Sequence, residues 1–365
     1  MLNEKISLDM NLPRVRKIIS QSISNFDLNL SGLTILTEAA TGYYILTPII
    51  AALAQADYVL ALTRDSKYGQ ATDIRKDTMK LAHNWDVRDK IQVIYDREDK
   101  RIGNVDIITN LGFVRPIDSD FLSRLKKSAV IPLMWETWEY RSEDIDIEEC
   151  RRLEIPVLGT NEHHPDLRIF EYIGHIALKL LFEAEIEILN SRIALLGKGE
   201  FADQVYNTLK TAQADVHPIF QENGKNSNIE KVKSTLKQTD ALIVVEHHER
   251  KQLIGAEGFI TPKEISQLNK YITIIHICGN VDQNSLVKNG VRCWPKHFAP
   301  AGYMSVATDY IGPIPLIKLH TAGLKVGESL ARARLKGLNG LEAELAVIRE
   351  ISLAQGFQGY HDGPI

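Results

Sequence analysis

Cysteine is scarce in this sequence: three residues in 365, Cys150, Cys278 and Cys293. An odd count fits no complete disulfide framework, and the spacings match no zinc site, which points to a reducing compartment. No run of Lys or Arg stands out and the net charge is −4, so the electrostatic footprint of a nucleic-acid binder is missing and a small-molecule partner is favoured. The longest apolar runs, Ile45–Ala56 and Ile186–Gly197, are broken by Pro48 or by polar residues well short of a membrane span. The N-terminal stretch MLNEKISLDMNLPRVRK lacks the basic and then apolar segments of a secretory signal. Internal repeats and low-complexity tracts are absent too. The expectation is a cytoplasmic protein with neither a nucleic-acid nor a membrane partner.

What the sequence does have is length for two domains and, at 44% hydrophobic and 25% charged residues, the composition of a globular chain with a substantial core. Short β-branched runs alternate with stretches of helical length, the pattern of parallel strands joined by crossover helices, so the fold class is α/β. Strands are expected at Leu33–Thr37, Tyr58–Thr63, Ile91–Tyr95, Val105–Asn110, Ala129–Met134 and Pro156–Gly159. Helices are expected at Pro48–Ala56, Gln70–Asn84, Ser119–Lys127 and Ile147–Leu153. A long helix follows Pro165, capped by Asp166, with Ile169, Ile173, Ala177, Leu180 and Ala184 at helical spacing; it is expected to cross from one domain to the next. The alternation restarts with strands at Arg192–Leu196, Val216–Phe220, Ala241–Val245, Thr273–Ile277 and Val291–Trp294, and Glu222–Asn228 reads as a loop.

The strand Arg192–Leu196 runs directly into Gly197-Lys198-Gly199-Glu200-Phe201-Ala202 and a helix. Strand before and helix after give this GxGxxA turn a mechanism: glycine lets the backbone approach a pyrophosphate, which then sits on unpaired amides at the helix N-terminus. The competing reading is a tight turn that binds nothing, because Glu200 and Asp203 suit the helix dipole but repel a pyrophosphate. An acid that would hold the ribose hydroxyls is displaced from the end of the next strand to Glu222. Either Glu222 serves, or Gln221, Asn223 and Lys225 mark a phosphorylated ribose, or no cofactor binds.

Polar groups gather where open α/β sheets put their ligands, at the carboxyl ends of the predicted strands. Glu38 and Thr41 follow the first strand; Arg64, Asp65 and Ser66 follow the second, Arg64 with the planar fork that clamps a carboxylate or phosphate. After Met134 come Glu136, Trp138 and Glu139, suited to hydroxyls or an amine and to stacking. Asn161 and Glu162 lie beside the expected hinge. Each group also has a structural reading as a capped turn, a surface pair or a half-buried ring. The pairs His163-His164 and His247-His248 match no metal motif, so no metal is expected, and His247 is placed near a cofactor. His320 and Lys325 in the tail are further acid–base candidates.

The stretch AVIPLMWETWEYRSEDIDIEECRRLEIPVLGTNE, from Ala129 to Glu162, resembles the D-2-hydroxyacid dehydrogenase segment in which a strand leads to a substrate loop and then an "IDxEAC…GIPV" helix and strand. In family order there follow the long helix, the glycine turn Gly197–Ala202, TDALIVVEHH, a piece HICGNVDQNSLVKNGV similar to "RGxxVDxxAL", and WPKHFAP at the place of the family histidine. The cofactor-domain layout is also similar to adenosylhomocysteine hydrolase. The resemblance implies two Rossmann/flavodoxin-like domains with parallel sheets: a discontinuous substrate domain, 1–165 with 312–365, and a central dinucleotide-binding domain, 166–311. It implies NAD or NADP, contacted by Gly197, Gly199, Ala202, Glu222, His247, Gly279, Asn280 and Asp282. It also implies a small-molecule substrate, a homodimer, and His297 as the proton-transfer group. The family's arginine has no counterpart in Cys278-Gly279-Asn280-Val281-Asp282, Glu257 is a loose match for its acid, and WETWE replaces its glycine-rich substrate loop.

Three functions follow. The first is an NAD(P)-dependent oxidoreductase acting on a polar hydroxylated substrate. The second is an enzyme similar to adenosylhomocysteine hydrolase with permanently bound NAD. The third is a ligand-binding protein without the cofactor site.

Overall fold

A computed structural model describes residues 10–219 and 229–357. They fall into two compact units, 1–167 with 313–365 and 168–312.

The first unit opens with α1 (Leu12–Asn25), whose start is fixed by the Asn11 side chain accepting the Arg14 N–H and by Pro13 in the first turn. Then come β1 (Thr34–Glu38), α2 (Leu46–Leu53), β2 (Tyr58–Leu62), α3 (Ala71–Asn84), β3 (Ile91–Ile94), β4 (Ile107–Ile108), α4 (Ser119–Ser123), β5 (Ile131–Pro132), α5 (Ile147–Arg152) and β6 (Val157–Thr160). The strands are parallel in the order β3-β2-β1-β4, and the ladder continues to β5 through Val130, which donates to Asp106 O and accepts from Ile108 N–H. β6 lies beside β5. The order therefore runs 3-2-1-4-5-6, with a topological switch between β1 and β4, where the connections leave in opposite directions.

The second unit contains α6 (Glu171–Glu183), β7 (Arg192–Leu196), α7 (Glu200–Thr211), β8 (Asp215–Ile219), α8 (Ile229–Leu236), β9 (Ala241–Val245), β10 (Gln252–Ile254), α9 (Pro262–Leu268), β11 (Thr273–Cys278), β12 (Asn280–Val281), α10 (Gln283–Lys288) and β13 (Arg292–Trp294). Its five-stranded parallel sheet has the order β13-β11-β9-β7-β8, with the switch between β7 and β9. β9 and β11 are buried along their whole length, as strands covered on both faces must be.

The chain returns to the first unit as α11 (Pro313–Leu335), α12 (Gly340–Glu350) and β14 (Ala354–Gln355), the last antiparallel to β6. α11 packs on α1, α2 and α12. Among the described residues no helix is long and apolar enough to cross a membrane.

Two expectations are corrected. The long helix starts at Glu171, after Arg168 adopts a left-handed φ of 53°, so Asp166 is not its cap. α6 lies wholly in the second unit, and the chain passes between units before it. The tail, Gly- and Pro-rich in sequence, holds the 23-residue α11, with Pro313 and Pro315 in its first turn, where a missing N–H costs nothing.

Candidate functional site

The glycine turn sits at the switch of the second sheet. A Cβ built on Gly197 would lie 2.0 Å from Val245 O, so β7 and the end of β9 approach too closely for any side chain there. Gly199 has φ 73° and precedes α7 as its N-cap. The three atoms nearest a Cβ built on it belong to imidazoles: His248 Nε2 at 3.3 Å, His248 Cδ2 at 3.4 Å and His247 Cε1 at 3.9 Å. His247 stacks on Phe201 with centroids 3.9 Å apart and lies against His248. Burial, with His248 adding its repulsion, pushes His247 down to about 4. Beneath them Glu246 accepts the N–H groups of His248 (2.9 Å) and Glu249 (3.1 Å), which fixes the histidine loop. Ala202 is fully buried, as a small residue at the helix–strand contact should be.

Other predicted cofactor residues serve their own backbone. The Asn280 amide donates to Arg250 O (2.9 Å), and Asp282 caps α10 by accepting the Ser285 N–H (2.9 Å). Gly279 turns the chain at φ 127° between β11 and β12. Its carbonyl takes the bond of the buried His276, which also meets Ser305 Oγ at 2.6 Å. Glu222 lies outside the described residues. His297 is exposed between Gln283's two bonds, to Lys296 O and from Phe298 N–H.

In the first unit, Glu38 is buried at the end of β1 and accepts the Phe113 N–H (2.8 Å). Burial pushes it up to about 7, against the pull of that bond and of Arg115 and Arg64. Arg64 lies exposed over the Phe113 ring at 5.4 Å. Thr41 packs on Gly69, while Asp65 and Ser66 accept the N–H groups of Ala71 and Tyr68, so these two carboxylate and hydroxyl groups shape their own turn.

The loop after β5 forms a second cluster with the end of β6. Glu136, 1% exposed, accepts from Trp138 Nε1 (2.5 Å) and the Glu162 N–H (3.0 Å), and meets His163 Nδ1 at 2.9 Å. Glu139 and Glu162 bond to each other; burial pushes Glu139 up to about 7 and Glu162 well above the carboxylate range. Sequence reasoning names Glu136, Trp138 and Glu139 from the strand-end rule and gives Glu162 and His163 no part in their cluster, because partners from another strand carry no local signal. Among the described residues no group of three or more His, Cys, Asp or Glu is arranged to hold a metal.

Three further predicted residues are spent on structural bonds. His320 is buried in α11 with Nδ1 2.7 Å from Thr47 Oγ1, and burial pushes it down to about 3. Lys325 donates to Asp27 O (2.7 Å) and Glu328 (3.0 Å), tying α11 to the turn after α1. Asn161 spends its amide on Ser352 O and its carbonyl on the His163 N–H.

No family model and no curated protein matches the chain. Solved structures do. A dipicolinate synthase chain from Bacillus halodurans aligns at 11% identity over 83% of this chain and 98% of that one, with a TM-score of 0.52. Its counterpart in the dipicolinate synthase of Bacillus subtilis gives 13%, 84%, 99% and 0.53. A putative D-3-phosphoglycerate dehydrogenase from Ralstonia solanacearum gives 12%, 86%, 98% and 0.48. Likeness at this identity is likeness of fold, and the fold is the one the chain shares with the two dipicolinate synthase chains.

Proposed function

We propose that the chain is an NAD(P)-dependent oxidoreductase acting on a polar, hydroxylated small molecule. The observation that carries this reading is the turn β7–Gly197-Lys198-Gly199–α7 at the switch between β7 and β9, where a Cβ on Gly197 would strike Val245 O. Such a turn fits a dinucleotide: Gly197 and Gly199 admit a pyrophosphate to the backbone, and the first amides of α7 face it. His247 and His248 flank the same turn, where an imidazole N–H is a fitting donor to a phosphate oxygen.

A bound nicotinamide would supply hydride transfer at a carbinol carbon. The hydroxyl proton then needs a base, and the exposed His297 is the group proposed for it. His320 and Lys325 leave the proposal, because one is buried neutral and the other is spent on Asp27 and Glu328. Glu136 and Glu139, with Glu162, are the proposed acceptors for substrate hydroxyls. A homodimer in the cytoplasm completes the reading.

Isothermal titration of the purified chain with NAD and with NADP tests it. Saturable binding of one is expected, and Gly199→Val, which puts a β-branched side chain at φ 73° against His248, is expected to abolish it with the fold retained. Equal affinity in that variant, or no binding of either nucleotide by the parent chain, overturns the reading.

A further inference from the structure

The loop after β5 is acidic, with Glu136 and Glu139 joined by Glu162. Its carboxyl groups are already bonded to one another, to Trp138 and to His163, so an anionic ligand of the first unit is better held elsewhere. The carboxyl ends of β1, β2 and β4 have the opposite character. Arg64, just past β2, stacks on Phe113 and forms no ion pair with another described residue. Asn110, just past β4, accepts the Met134 N–H on Oδ1 (2.8 Å) and leaves Nδ2 buried without a partner. Arg115 pairs with Asp144 (2.5 Å) and lies over Trp135, yet its Nε is buried without a partner.

These groups converge. Glu38 and Asn110 follow the β1–β4 register Leu36↔Ile108 by two residues each, so they are neighbours on one face of the sheet. Phe113 donates to Glu38, and Arg115 Nη2 and Glu38 Oε2 lie 3.8 and 3.4 Å from a Cβ built on Gly112. Buried donors without acceptors are unfavourable, and three cationic or amide groups around one strand-end loop ask for an oxyanion. The nearby acids are engaged: Asp65 takes the Ala71 N–H, Asp144 takes Arg115, and Glu38 takes the Phe113 N–H.

We propose that the β1–β2–β4 edge holds the carboxylate or phosphate of a small anionic molecule, with Arg64 as its exposed charge, Asn110 as the directing amide and Arg115 behind them. The proposal rests on the oxidoreductase reading only in making this molecule the substrate; the edge itself needs no nucleotide.

The test is isothermal titration of the full chain, without nucleotide, using inorganic phosphate and malonate as separate probes. Saturable binding of at least one probe is expected, and Arg64→Gln and Asn110→Leu are each expected to weaken it about tenfold or more. Arg64→Lys should recover part of the loss, and Arg14→Gln on α1 should change nothing. Near-UV circular dichroism checks that each variant is folded. Because a phosphate can also seek the glycine turn, Gly199→Val is titrated in parallel and should keep the binding. The proposal is overturned if neither probe saturates, if Arg64→Gln binds as tightly as the parent, or if Gly199→Val alone removes the binding. Failure here with nucleotide binding intact removes this edge and leaves the oxidoreductase reading standing; the converse result separates them the other way.

Discussion

A histidine's surroundings decide what role it can take, and those of His320 and His297 differ. Buried His320 meets Thr47 Oγ1 at 2.7 Å inside a core of α2 and α11. Desolvation holds it neutral, so its role is to satisfy Thr47 and close the packing. Thr47→Val keeps the shape but orphans the imidazole nitrogen. That change is expected to cost about 1–3 kcal/mol, the penalty of an unpaired buried polar group, read as a lower denaturant midpoint with nucleotide affinity unchanged. His297 is exposed, so His297→Asn should leave the denaturant midpoint alone, keep nucleotide binding, and lower turnover by about 10²–10⁴-fold. An unchanged rate in His297→Asn would take the proton-transfer role from it.

At the scale of elements, α6 and α7 pack so closely that a Cβ built on Gly174 would lie 2.0 Å from Thr208 Oγ1 and 2.7 Å from the Gln204 carbonyl. The second contact is backbone and cannot rotate away, so Gly174→Ala must push the helices apart. A loss of about 1–3 kcal/mol is expected, the usual cost of overpacking, and Thr208→Ala in the same chain should restore only part of it. A thermal midpoint equal to the parent's would show that the helices separate freely. These packing facts also explain what is legible in the sequence. β7 and β9 have the bounds expected, since each is a short apolar run, the first led by Arg192 and closed by the glycine turn, the second set between Asp240 and Glu246. α11 escapes a sequence reading because residues from Leu316 to Ala333 are buried on most of its circumference, which erases the amphipathic period that marks a helix. The apolar spacing that begins at Ile169, with Asp166 taken as the cap, places the start of α6 too early, because Arg168 turns the chain with a left-handed φ before the helix begins at Glu171. Strand ends point to Glu38, Arg64, Glu136 and Glu139, whereas Asn110, Arg115 and the Glu139–Glu162 bond depend on long-range register that no local pattern encodes.

Over the whole molecule, two sets of buried titratable groups set the stability profile against pH. Glu38, Glu139 and Glu344 are each raised to about 7, chiefly by burial, and Glu162 is raised further. A carboxyl with a raised folded pKa contributes stability that is complete below its unfolded value and is lost as pH rises through the folded one. His247 and His276 are lowered to about 4 and His320 to about 3, again by burial first. Their stability is complete above the unfolded value of 6.5 and is lost as pH falls toward 3. Between the ordinary carboxyl value of 4.5 and the ordinary imidazole value of 6.5 the two slopes oppose each other, so stability should change little across that window. Below 4.5 the slope of the raised carboxyls ends while the histidine slope remains, joined by Asp99 and Glu264, which their hydrogen bonds hold down to about 2, so the chain should lose stability steeply; above 6.5 the carboxyl slope remains, and stability should decline through about 7. Urea midpoints measured from pH 4 to 8 are therefore expected to form a plateau with falls on both sides. Glu139→Gln removes one carboxyl from the balance, so its midpoint should fall less than the parent's between pH 6.5 and 8. If the variant and the parent decline in parallel there, Glu139 ionises in the fold as easily as in the unfolded chain, and the proton held between Glu139 and Glu162 is not what keeps that loop closed.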